Sequence, residues 1–201
     1  GEGRDQTHEE AFWMAIVSED RRISQVGHDE GVSVLAQLID EYMVRWPAGV
    51  RAGALTVRRI EDAVPSLAAV EELTQLSPED PAWESAQLRA AQMLYALFTE
   101  RSGSERSEAG AKYLTVSLPL LAGDSELALR DAAAAGRCMA RARRVLEVAL
   151  DKEVLRLVAA EAALDAVQDR AAYPMDVPEG FEAELGYRRL QITLARGDIV
   201  D

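Results

Sequence analysis

"LTQLSPEDPAWESAQLRAAQMLY", residues 73–95, decides how the chain is read. An apolar helical pattern runs to Leu76, the punctuation Ser77-Pro78-Glu79-Asp80-Pro81 follows, and a second helical pattern starts at once. Proline removes a backbone donor and clashes with the preceding turn, so Pro78 stops the first helix. In the first turn of the next helix the missing N–H costs nothing, which suits Pro81. Glu84 adds a negative charge near the positive end of that helix's dipole. The pattern predicts a helix over 81–100 that buries Trp83, Ala86, Ala90 and Met93, then Leu94, Leu97 and Phe98.

Working outward, the same one-sided spacing recurs. Over 28–46 the apolar residues Leu35, Leu38, Ile39, Tyr42, Met43 and Trp46 share a face, and Pro47 ends the helix. Residues 7–26, "THEEAFWMAIVSEDRRISQV", read as a helix with Phe12, Ile16 and Val17 on its face and Thr7 with Glu10 as a capping box. The loop between these two is "GHDEG", 27–31. Residues 48–63 give a shorter helix whose Gly49 and Gly53 imply close packing, since an interior glycine otherwise costs ~1 kcal/mol relative to alanine. Pro65 or Ser66 opens the helix carrying Leu67, Val70, Leu73 and Leu76.

Downstream, "TERSGSERSEAG", 99–110, is the longest loop candidate, with Gly103 inside it and a break expected near 100–109. In "KYLTVSLPLLAG", 112–123, Leu114, Val116, Leu118 and Leu120 alternate as a strand would. Its helical neighbours nevertheless make it a helix despite Pro119. Residues 124–150 and 151–172 are alanine-rich and helical, with Asp124 and Asp151 as expected N-caps. "YPMDVPEG" breaks the pattern before a last helix over 181–198. About nine helices joined by short connections and no sustained strand make the fold all-α, with adjacent helices antiparallel.

Pro47 and Pro78 stand 31 residues apart, each closing an apolar helix before a helix rich in small residues, in "IDEYMVRWPAGVRAGA" and "VEELTQLSPEDPAWESA". This resembles the tetratricopeptide repeat (TPR), a helix–turn–helix unit of about 34 residues. In that likeness Pro78 is the closing proline, Trp83 stands near the leading aromatic, and Ala90 and Ala91 allow close helix approach. "ELGYRRLQITLARGD", 184–198, resembles the family's first helix followed by its Gly197-Asp198 turn. The stretches 101–123 and 124–174 depart from the register, and Arg189 stands where the family usually has leucine, which makes the repeats divergent. The resemblance implies antiparallel helical hairpins stacked as a TPR-like superhelix, a solenoid, over 1–201. That single domain is expected to be part of a longer chain, and its partner is expected to be a protein or peptide held on its surface.

Composition bounds the chemistry. The 201 residues carry a formal net charge of −13 and 48% hydrophobic residues, enough for a buried core and unsuited to gripping a phosphate backbone. No run approaches the roughly 18 apolar residues of a membrane span. Cys138 is the only cysteine, so neither an internal disulfide nor a thiolate metal set is available. Its place among alanines reads as core packing.

His8 and His28 belong to no HExxH or other metal spacing, and phosphate-cradle and nucleophile-elbow motifs are absent. The pairs Glu9–Glu10, Glu71–Glu72 and Glu79–Asp80 point about 100° apart on a helix and read as a solvated face. No catalytic, cofactor-binding or metal-ligating residue is therefore expected, and the chain reads as a non-enzymatic interaction scaffold. Two other readings stand beside it, a regulatory or assembly domain of a larger enzyme or complex and an all-α small-ligand binder.

The one basic concentration is "RCMARARR", 137–144, which sets Arg137, Arg141 and Arg144 on nearly one helical face. They either grip an acidic peptide or a carboxylate terminus, or pair with neighbouring glutamates such as Glu147. Trp13, Trp46 and Trp83 are expected as core aromatics, so that Trp83→Ala would cost ~3–5 kcal/mol.

Overall fold

The computed structural model describes residues 2–26 and 29–197, and among these the chain is all-helical with no strand. Nine α-helices follow in order among the described residues: α1 Glu2–Val26, α2 Asp29–Arg45, α3 Ala52–Ile60, α4 Leu67–Thr74, α5 Trp83–Glu100, α6 Gly103–Ala128, α7 Ala132–Ala149, α8 Leu157–Asp165 and α9 Phe181–Arg196. A single 3₁₀ turn, Arg170–Ala172, lies between α8 and α9. The chain divides into two compact units, Gly1–Val64 with Gln75–Ala86, and Pro65–Thr74 with Gln87–Asp201.

In the first unit α1 packs on α2 and α2 on α3. Its core is Ile16, Leu35, Ile39, Tyr42, Ala52 and Leu55, ringed by partly buried Phe12, Trp13, Ile23, Leu38, Met43 and Trp46. The Trp46 ring centre lies 5.7 Å from that of Phe12 and 5.2 Å from that of Tyr42. Burial and the hydrogen bond donated to Glu9 push Tyr42 up to about 12. Both glycines of 48–63 sit at close approaches. A Cβ on Gly49 would fall 2.7 Å from the Tyr42 hydroxyl, and one on Gly53 would fall 2.3 Å from the Asp80 carboxylate. Asp80 in turn accepts a hydrogen bond from the Ala82 N–H at 2.7 Å, so the Pro78–Pro81 punctuation ends in a side-chain turn that launches α5.

In the second unit α6 packs along α7, α7 on α8 and α8 on α9, with α6 also touching α8. Met93, Leu94, Phe98, Leu121, Val145 and Leu146 are among the fully buried side chains. Ala134, Ala135, Ala142 and Ala149 on α7 are fully buried and keep the helices close. The tightest glycine approach in this unit is at Gly110 on α6, where a Cβ would meet Val154 Cγ2 at 2.5 Å and Phe98 and Val148 at 3.2 Å. Gly110→Ala gains up to ~1 kcal/mol of helix propensity but overpacks by ~1–3 kcal/mol, so a net loss of about 1–2 kcal/mol is expected in urea unfolding. Gly123→Ala, on the same helix with nothing within 4 Å of its Cβ position, should shift the midpoint the other way.

Several boundaries differ from expectation. The loop over 99–110 is helix from Gly103 onward, leaving only Arg101 and Ser102 as connection. Ser104, Glu105 and Glu108 are exposed on α6, Arg106 and Ser107 are half-buried against Asp151 and the Glu153 carbonyl, and Ala109 and Gly110 face inward. Thr7 and Glu10 form no capping box, because α1 already begins at Glu2. Asp29, Glu30 and Gly31 belong to α2, whereas Gly27 and His28 lie outside the described residues, as does Asp198.

Asp124 is not an N-cap but a buried residue inside α6. The cap belongs to Asp131, which accepts from the Ala133 N–H at 2.9 Å ahead of the alanine run. Asp151 caps a turn rather than a helix, accepting from the Glu153 N–H at 2.9 Å, and α8 starts six residues later at Leu157. The stretch 112–123 is helical as read, with exposed Pro119 carried inside α6. Trp13, Trp46 and Trp83 are half-buried, Trp13 and Trp46 packed against the core of the first unit; the fully buried rings are Tyr42, Phe98 and Phe181.

Candidate functional site

The arginines singled out by spacing do share a face. Arg137, Arg141 and Arg144 lie at i, i+4 and i+7 on α7 and line a cleft of about 280 Å³ within the second unit. From α6, Tyr113 and Ser117, also four residues apart, form a second wall, and α5 supplies Leu88, Ala91 and Gln92. Three helices thus each contribute one stripe. The lining combines guanidinium groups with an apolar floor of leucine and alanine.

Asp124 sets the electrostatics. It is 7% exposed, and its carboxylate accepts from Arg137 Nε at 2.9 Å and pairs with Arg141 at 3.0 Å. Asp124 lies on α6, seven residues beyond Ser117, which brings it to the α7 face of that helix. The carboxylate partner of the arginine cluster is therefore Asp124 and not the expected Glu147. Glu147 instead accepts from the Tyr95 hydroxyl at 2.8 Å, and burial together with this bond pushes Tyr95 up to about 12. Arg144 places its guanidinium 5.4 Å from the centre of the Tyr95 ring and, among the described residues, makes no ion pair.

Two groups in the cleft stand out. Ser117 is 1% exposed and its hydroxyl makes no hydrogen bond of good geometry, although the Tyr113 phenol lies near enough to feel it. Burial pushes Tyr113 upward against the opposing pull of Ser117, Arg144 and Arg141, so its phenol is a neutral donor at physiological pH. An unsatisfied buried hydroxyl costs ~1–3 kcal/mol, a deficit that a bound acceptor removes.

A second feature of this unit is the outer side of α9. Phe181, Leu185 and Ile192 are buried, while Tyr187, Leu190 and Leu194, on the opposite side of the same helix, are 58%, 54% and 50% exposed. Arg188 lies over the Tyr187 ring, 5.9 Å from its centre. A helix that is apolar on two opposite sides ordinarily has a neighbour on both.

The remaining sequence candidates have structural places. Cys138 is fully buried, with Sγ 3.5 Å from the Ala166 carbonyl and 3.7 Å from the Tyr173 hydroxyl, and burial pushes the thiol up. His8 is exposed on α1. Glu9 accepts from Tyr42, and Glu10, Glu71, Glu72 and Glu79 are exposed. No group of three or more His, Cys, Asp or Glu side chains gathers as a metal site among the described residues. No described helix is long and apolar enough to cross a membrane.

Asp124, Tyr113, Ser117 and Gln92 were not legible as site residues. Tyr113, Ser117 and Asp124 share a face of α6 at i, i+4 and i+11 and Gln92 comes from α5, but which residue meets which arginine depends on the register of these helices against α7. Compared with known proteins, the chain matches no family model, no curated sequence and no solved structure.

Proposed function

We propose that this chain is a non-enzymatic scaffold of helical hairpins, TPR-like in build, that holds a protein partner by accepting an amphipathic helix against the uncovered side of α9. The observation that carries this reading is the stripe Tyr187, Leu190 and Leu194, laid on a helix whose opposite side is already buried. Successive packing of α6, α7, α8 and α9 supports it, because in a helical-hairpin array each helix is the surface on which the next one is laid. Arg188 reaches over the Tyr187 ring at one edge of the stripe, which favours a partner helix with an acidic residue at its flank. Recognition of this kind reads i, i+3 and i+7 anchors and needs no reactive side chain.

The test is a panel of fluorescein-labelled amphipathic helical peptides with acidic flanks, titrated against the wild-type chain and against Tyr187→Glu/Leu190→Glu. Wild-type binding that weakens at least ~10-fold in the double variant, with an unchanged melting temperature, supports the reading, since a buried charge is costly at an apolar contact. Equal binding by both proteins, or no binding by the wild type, overturns it.

A further inference from the structure

The cleft walled by α5, α6 and α7 is separate from the α9 stripe and carries an inference of its own. We infer that it is a binding site for a small organic monocarboxylate, a carboxylate group borne on a short aliphatic body.

Four observations lead there. Arg137 and Arg141 are held by Asp124, while Arg144 lines the same cleft with no carboxylate of its own among the described residues. One more carboxylate completes the set, in the planar two-point pairing that guanidinium favours. Ser117 is buried, makes no hydrogen bond of good geometry and also lines the cleft, so its hydroxyl turns from the neighbouring Tyr113 phenol to donate to the second oxygen of the same group. The floor is Leu88, Ala91 and Ala140, which gives a hydrated inorganic anion nothing to contact and gives an aliphatic chain a place to leave water.

The size agrees: about 280 Å³ is at the lower edge of the range of roughly 300–1,000 Å³ typical of small-molecule sites. The Tyr95 ring holds Arg144 by a cation–π contact and limits the guanidinium's freedom before the ligand arrives. Asp124 keeps the arginine cluster from drawing in a multiply charged anion such as phosphate, because it already neutralises part of the cationic field. A single carboxylate is what the remaining guanidinium and hydroxyl can satisfy.

The experiment is calorimetric titration of the full chain with 4-methylpentanoate, its amide, inorganic phosphate, and a hexapeptide ending in leucine with a free carboxylate. Supporting results are saturable binding of 4-methylpentanoate, at least ~10-fold weaker binding of the isosteric amide and of phosphate, and a similar ~10-fold loss in Arg144→Ala. Ser117→Ala should lose ~5-fold; Arg144→Ala should melt as the wild type does because Arg144 is exposed, and Ser117→Ala should melt no lower, because it removes a buried hydroxyl whose hydrogen bonding is incomplete. Equal binding of acid and amide, phosphate binding as tightly as the acid, binding of the peptide alone, or undiminished binding in Arg144→Ala each overturns the inference. None of these outcomes bears on the α9 surface, whose variants and probes are different.

Discussion

Replacing Phe98 by alanine is expected to cost ~3–5 kcal/mol, the largest effect of any single aromatic truncation in the second unit. The ring is 1% exposed, and its surroundings cannot close over the space it would leave. On one side lies Gly110, which has no side chain to move in; a Cβ there would already sit 3.2 Å from the ring. On the other, Arg106 holds its guanidinium 4.0 Å from the ring centre while donating to the Phe98 carbonyl at 2.9 Å and to Asp151 at 2.8 Å. Truncation therefore empties a cavity and removes a cation–π contact, while Arg106 keeps its bonds to the backbone carbonyl and to Asp151. Phe98→Leu keeps most of the volume and should cost about half as much.

The measurement is urea unfolding followed by circular dichroism. Tryptophan fluorescence follows only the first unit, because Trp13, Trp46 and Trp83 all belong to it. A loss below ~1 kcal/mol would show that the cavity collapses and that this packing account is wrong. Trp83→Ala, for which burial in the core would imply the same cost, should fall well short of Phe98→Ala since Trp83 is only half-buried.

The contrast between Phe98 and Trp83 shows what the sequence could tell. Periodicity places both on the inward face of one helix, and it places Ala86, Ala90, Met93, Leu94 and Leu97 there correctly. It says nothing of how deep along that face each residue lies, because depth depends on which helix end is covered. Helix existence was legible nearly throughout, down to the strand-like 112–121 stretch. Boundaries were less so: Ser102-Gly103 looks like the middle of a loop, yet it starts a helix of 26 residues. The polar run over 103–108 could be read as loop or as solvated helix face, and only the distant partners Asp151 and Glu153, which receive Arg106 and Ser107, decide between them. The arginine face of α7 was legible because it is local. The carboxylate that holds it was not, because Asp124 meets Arg141 through the pairing of two helices, and looked from its sequence like a cap.

That pairing makes the second large prediction. Asp124→Ala is expected to cost ~3 kcal/mol, below the full cost of breaking a wholly buried ion pair because one of its two partners can turn to water. The Arg137 side chain is 51% exposed and rehydrates; the Arg141 side chain is 14% exposed and cannot. The loss therefore comes chiefly through Arg141, left charged in a cleft that also holds Arg137 and Arg144. Two consequences separate this account from mere loss of packing. Adding Arg141→Ala to Asp124→Ala should restore ~1–2 kcal/mol rather than subtract more, a coupling of the sign expected when one charge has been stripped of its partner. Sulfate should raise the melting temperature of Asp124→Ala more than that of the wild type, because an anion can take the vacated place between the guanidinium groups. If the two substitutions simply add and sulfate acts equally on both proteins, Asp124 contributes by filling space, and the cleft is not organised around its charge.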